Sequence, residues 1–173
     1  AVDDILLAKF IGNWDFGGKN TLYTTWDGMH WSMLNYDNDA TFGIFEDPEG
    51  YPFGDVVVDP TYEPFNKKAY SFCPWLLRLE SVLSADLAAR YAELRSKGVF
   101  SKSLVENLCK EWINRIGSDV LADDTARWSY PGLGNAKSSG INENFIDSVP
   151  RLLTWVEQRI AVLDEKYNYS NEG

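Results

Sequence analysis

Histidine and cysteine are almost missing from this sequence, and their scarcity removes whole classes of chemistry. One His, His30, and two Cys, Cys73 and Cys109, occur among 173 residues. The cysteines lie far apart with no Cys-x-x-Cys spacing, so neither a disulfide framework nor a zinc site is expected, and both read as core residues. Basic side chains are also in deficit: 16 Lys and Arg face 26 Asp and Glu, for a net charge of −10 and a pI near 4.5. Phosphate binding needs a basic stripe, so a nucleic-acid partner is not expected. No run of about 18 apolar residues exists that would span a membrane. No signal peptide is read, and the opening "AVDDILLAKF" starts mid-element, as a fragment or a processed product does.

Aromatic residues, by contrast, are plentiful, at 14% with seven Trp, in a chain that is 45% apolar. Side chains of that size bury enough area to offset chain entropy, which argues for one folded domain over residues 1–173. Its two parts differ in character. Residues 1–72 open with a helical pattern (Ile5, Leu6, Ala8, Lys9) that stops at Gly12. Two β-like runs follow, "NTLYTTW" and "MHWSMLNY", around Asp27-Gly28, a pair that signals a hairpin turn. Residues 44–72 hold four of the seven prolines and read as a long loop that covers a site or a partner. Residues 73–173 read as a helical block. Pro74 precedes one helix, Ser84 caps the next, and Ser101 starts a third with Leu104, Val105, Leu108, Trp112, Ile113, Ile116 and Val120 along one stripe. A Gly/Ser/Asn loop leads to a last helix carrying Leu152, Leu153, Val156, Ile160, Leu163 and Tyr167, with Pro150 in its first turn or kinking it. The fold class expected is α+β, a short hairpin packed on a mainly helical block.

The chemistry concentrates at the base of that hairpin. Asp15 precedes the first strand, Asn20 begins it, and Asp37 and Asp39 follow the second strand in "YDNDATFG". A hairpin folds its ends together, so Asp15, Asn20 and Asp37 are expected to converge. Crowded carboxylates repel, and a divalent cation relieves the repulsion; two carboxylates with an amide oxygen suit Mg²⁺ beside a phosphate. Phosphoryl transfer uses a base Asp, an Asn five residues on, a short hairpin and then a metal-binding Asp, in this order. On that reading the letters Asp-Phe-Gly at 15–17 are a decoy for the kinase metal motif: Asp15 stands in the catalytic-loop position and Asp37 in the metal position. Gly17 and Gly18 let the loop turn tightly, and Lys19 either contacts phosphate or is a solvated loop residue. The bland alternative stays open, with Asp15 a turn residue, Asn20 a strand start, and Asp37 and Asp39 an exposed turn.

These stretches, "NWDFGGKNTLYTTWDG" and "NYDNDATFG", resemble the CotH-type kinases, a family named for a spore-coat protein. The family's run reads Trp-Asp-(Leu/Phe)-Asp-x-x-(Phe/Leu)-Gly; here Tyr36 stands at the Trp and Asn38 at the apolar position. The helical part is similar too, in "RYAELRSKGVFSKSLVENLCKEW", "ARW" and "VPRLLTWVEQRIAVLDEKY". The resemblance implies an atypical protein-kinase fold that binds ATP and Mg²⁺ and phosphorylates Ser residues of coat proteins. It implies Asp15 as catalytic Asp and Asp37 as metal ligand, with Asn20 and Asp39 following. A phosphate-covering loop, a strand Lys and its Glu partner do not fit into the dozen or so residues before Asp15, so the chain reads as a kinase-like C-lobe without its N-lobe. Related segments in phage virion proteins imply a second class, a structural module of a virion, spore coat or cell surface that contacts a neighbouring protein without turnover. A ligand-binding module on Trp14, Trp26, Trp31 and Trp75 is a third; core or cross-strand packing is the simpler reading of those residues. His30 reads as a hairpin residue, not a base, and Asp123 and Asp124 as solvated helix positions.

Overall fold

The computed structural model describes residues 1–13, 16–17, 21–36, 38, 41–46, 55–57, 59–63, 74–127 and 145–170. The first helix, α1 (Val2–Ile11), has Asp3 and Asp4 in its first turn and Lys9 in its last, the charge order its dipole favours. It ends where Gly12 takes φ 67° and Asn13 N–H reaches back to the Ala8 carbonyl at 2.9 Å, a left-handed stop that glycine adopts freely. Ile5, Leu6, Ala8, Lys9, Phe10 and Ile11 are all buried, so α1 is enclosed on most sides.

The expected hairpin forms from β1 (Thr21–Thr24) and β2 (Ser32–Asn35), antiparallel with Thr21 opposite Asn35 and Thr24 opposite Ser32. Its turn is wider than a two-residue Asp-Gly turn. Asp27 Oδ1 accepts from the backbone N–H groups of Met29 and His30, and Gly28 alone of the pair takes positive φ. The side-chain bonds therefore stabilise a loop over residues 25–31. The stretch read as a long loop contains a second antiparallel pair, β3 (Ile44–Glu46) with β4 (Asp55–Val57). The prolines that suggested a loop all lie outside these two short strands.

The helical block begins with α2 (Pro74–Val82) and α3 (Ser84–Ser96), separated at Leu83. Ser84 is the first helical residue and not the cap. Ser101 does cap α4 (Lys102–Ile116), its hydroxyl accepting from Leu104 N–H at 3.1 Å. Gly117, at φ 90°, breaks the expected stripe, and α5 (Ser118–Arg127) follows as a separate helix. Val105 alone of that stripe is buried; Leu104, Leu108, Trp112, Ile116 and Val120 are exposed. The last helix, α6 (Phe145–Lys166), runs through Pro150. Among the described residues no helix is long and apolar enough to cross a membrane.

The core joins α1, α3 and α6 through Leu87, Tyr91, Leu94, Phe100, Val156, Ile160 and Leu163. Phe100 stacks on Phe10 at 4.5 Å, and Phe42 lies edge-on to both Phe10 and Trp155. One ion pair locks α3 to α6: Arg95 grips Asp164 with two parallel bonds of 2.8 and 2.9 Å, and Tyr91 donates to the same carboxylate at 2.7 Å. Burial first, then the Asp164 bond, pushes the Tyr91 hydroxyl well above its ordinary value, and burial does the same to Tyr167. The folded chain therefore holds these protons more tightly than the unfolded chain, and their contribution is present below the ordinary tyrosine value of 10.0 and lost as pH rises past it. Urea melts at about pH 9 and about pH 11 are expected to show falling stability, with a shallower fall in Tyr91→Phe.

Candidate functional site

Two stretches of backbone meet below the hairpin. The first leaves α1 through Gly12 and Asn13. Phe16 is buried and fixes the segment to the core. Gly17, at φ 85°, turns the chain so that its N–H reaches Thr21 Oγ1 at 3.0 Å, while its carbonyl accepts from Tyr23 OH at 3.1 Å. The second stretch leaves β2 at Asn35 and is organised by Asn38. Its Oδ1 accepts from Asn13 Nδ2 at 2.8 Å and from Asn35 Nδ2 at 3.0 Å, and its carbonyl accepts from Thr41 Oγ1 at 2.7 Å. Asn13 is buried and Thr41 nearly so. Asn35 Oδ1, shielded from solvent in the same place, has no hydrogen-bond partner among the described residues. An apolar residue at position 38 would keep the carbonyl bond to Thr41 but could not make the two Oδ1 bonds, so Asn38 has a structural use.

The second stretch then closes onto α1 and α6. Phe42 takes φ 53°, a left-handed conformation unusual outside glycine, and its N–H bonds to the Ile11 carbonyl at 2.6 Å. Gly43, at φ 84°, lies flat against the Trp155 indole. One helical turn further along α6, the fully buried Arg159 donates from Nε to the Lys9 carbonyl at 2.7 Å and from Nη1 to the carbonyls of Pro60 and Tyr62 at 2.6 and 2.8 Å. Its Nη2, also shielded from solvent, has no hydrogen-bond partner among the described residues.

Beside it sits a network of four charges. Lys9, fully buried, pairs with Glu63 at 2.7 Å and Glu80 at 2.9 Å, and Lys166 pairs with the same two carboxylates at 3.0 and 3.1 Å. Burial pulls the Lys9 ammonium below its ordinary value against the pull of Glu63. Burial also disfavours the Glu63 carboxylate, yet Lys9 and Lys166 together hold it below its usual range.

The residues proposed for chemistry, Asp15, Lys19, Asn20, Asp37 and Asp39, lie outside the described residues, as do Trp14, Gly18 and Cys73. Their expected convergence is therefore bracketed by Asn13, Phe16, Thr21, Asn35 and Asn38. His30 sits in the hairpin loop, exposed, its ring bonded to Asp27. That bond, with the backbone N–H groups of His30 and Met29, draws the Asp27 carboxyl down to about 2. Trp26 and Trp31 are 80% and 62% exposed, so neither belongs to the core; Trp26 stacks across the hairpin loop on the His30 ring at 6.3 Å. Trp75 packs edge-on against Tyr23 at 5.7 Å. Asp123 and Asp124 are solvated on α5, and Cys109 packs half-buried beside the core, its thiol raised by burial.

Asn13, Asn38, Trp155 and Arg159 are the organising residues that the acidic pattern did not reveal. The Trp-x-x-x-Arg spacing of the last helix was their one visible signal. Taken together, the described residues define a mainly helical α+β domain whose hairpin base gathers two polar, glycine-bounded segments. The family model described as CotH kinase protein matches residues 5–163, nearly the whole chain, and the chain belongs to that family. No curated protein and no solved structure matches it.

Proposed function

We propose that this chain is the catalytic C-lobe of a CotH-like protein kinase that transfers the γ-phosphoryl group of ATP to Ser or Thr hydroxyls of a protein, the phosphate-covering lobe coming from elsewhere in the parent polypeptide. The observation that carries this reading is the 2.8 Å bond between Asn13 and Asn38. Asp15 follows Asn13 by two residues, and Asp37 and Asp39 flank Asn38 on either side. Two residues of chain span at most about 7 Å, so connectivity alone keeps the acidic positions of both segments near that bond. In this reading Asp37 and Asp39 hold Mg²⁺ with the Asn20 amide oxygen, and Lys19 faces the ATP phosphates. Asp15 takes the proton of the substrate hydroxyl as its oxygen bonds to the γ-phosphorus and ADP leaves. The donor set is hard oxygen, which suits Mg²⁺. The sheltered Asn35 Oδ1 adds an acceptor at the same end of the hairpin. Bound Mg²⁺ would supply charge neutralisation at the phosphate oxygens.

The exposed Trp26, Trp31, Leu108 and Trp112 favour a second reading, a structural module of a virion, spore coat or cell surface that docks on a neighbouring protein. Labelled ATP separates the two. The parent polypeptide is expected to label protein hydroxyls only with Mg²⁺ present, and Asp37→Asn is expected to lose that labelling. A folded parent that labels nothing would leave the structural module standing.

A further inference from the structure

We infer that Trp155 is a positioning residue, a shared floor that sets the spacing between the two acidic segments; the inference rests on the metal-site reading just given. A Cβ built on Gly12 would lie 2.9 Å from Trp155 Cη2, and one built on Gly43 would lie 2.5 Å from Trp155 Cδ1. Both glycines therefore rest their backbones on one indole, Gly12 at its six-membered edge and Gly43 at its five-membered edge. Gly12 stands three residues before Asp15, and Gly43 four residues after Asp39. Trp155 is 4% exposed, so the ring has little freedom to shift. Phe42 packs edge-on against it at 6.2 Å while bonding back to Ile11. The Arg159 guanidinium, 6.0 Å from the same ring, ties α6 to the Lys9 carbonyl. One face of α6 thus holds the end of α1 and the return of the second segment at a fixed separation.

A smaller ring keeps the site apolar but leaves a gap under one glycine, so the segments lose their common reference. Outer-shell partners of metal ligands alter metal affinity by about 10–100-fold when changed, and Trp155 acts one step further out, through Gly12 and Gly43. Titration of the chain with Mn²⁺, followed by the loss of the free-ion paramagnetic resonance signal, reads the effect without any need for turnover. Trp155→Phe is expected to weaken Mn²⁺ binding about tenfold or more. Leu87→Ala, a buried core change in α3, serves as a control lowering the melting temperature at least as far, and is expected to leave Mn²⁺ affinity unchanged. Equal affinity in wild type and Trp155→Phe, or equal loss in Trp155→Phe and Leu87→Ala, overturns the positioning role. Asp37→Asn distinguishes a failure of the site itself. If wild type and Asp37→Asn bind Mn²⁺ alike, the metal site is misassigned and the positioning role falls with it. If Asp37→Asn alone loses binding, the site stands and Trp155 is merely structural.

Discussion

Asp15→Asn is expected to reduce phosphoryl transfer by the parent polypeptide about 10²–10⁴-fold, the contribution of a positioned general base, while its melting temperature stays close to wild type. Asparagine keeps the shape and a hydrogen-bonding oxygen but cannot take the hydroxyl proton. The neighbouring anchor, Phe16, is buried in the core, and Gly17 is fixed by its own bonds to Thr21 and Tyr23. The segment should therefore keep its course when the charge is removed. Rate and melting measured on the same preparations decide the matter: an unchanged rate removes Asp15 from the chemistry, and a large fall in melting temperature marks it as a structural turn residue.

Arg159→Met should be among the most damaging single changes to stability, by about 3–5 kcal/mol, since each buried acceptor left unpaired costs about 1–3 kcal/mol. The guanidinium satisfies three backbone carbonyls, those of Lys9, Pro60 and Tyr62. Methionine fills much of the volume but removes the donor from the buried bond to the Lys9 carbonyl and from the part-buried bonds to Pro60 and Tyr62. For a chain of this size the expected shift in melting temperature is about 6–20 °C. Lysine should not rescue it, because a single ammonium lacks the planar fork that reaches Lys9 on one side and the residue 60–62 segment on the other. A loss below about 1 kcal/mol would show that water replaces the guanidinium at those carbonyls.

Local rules made much of the architecture legible. The stop of α1 at Gly12, the cap at Ser101, the two strands of the first hairpin and the apolar face of α6 each follow from a few neighbouring residues, and each forms as read. The errors share a cause. The Asp27-Gly28 turn, the long loop of residues 44–72, the cap at Ser84 and the unbroken stripe from Leu104 to Val120 were judged by local residue type and spacing, whereas hydrogen bonds from Asp27, pairing of Ile44 with Val57, a helix start at Ser84 itself and the turn at Gly117 decided them.

Composition also excluded zinc and nucleic-acid chemistry from the expectations, and the order of Asp15, Asn20, Asp37 and Asp39 with the helical motifs was enough to indicate the kinase family that the comparison shows. What no linear pattern could supply is which distant residues the fold brings into contact. Asn13 meets Asn38 across 25 positions, and Arg159 reaches Lys9 across 150. Such contacts exist only once the helices have packed, because a buried amide or guanidinium takes whatever acceptors the surrounding fold brings within about 3 Å. The sequence therefore determined the family and the local elements, and the tertiary structure decided which distant residues brace the base of the hairpin.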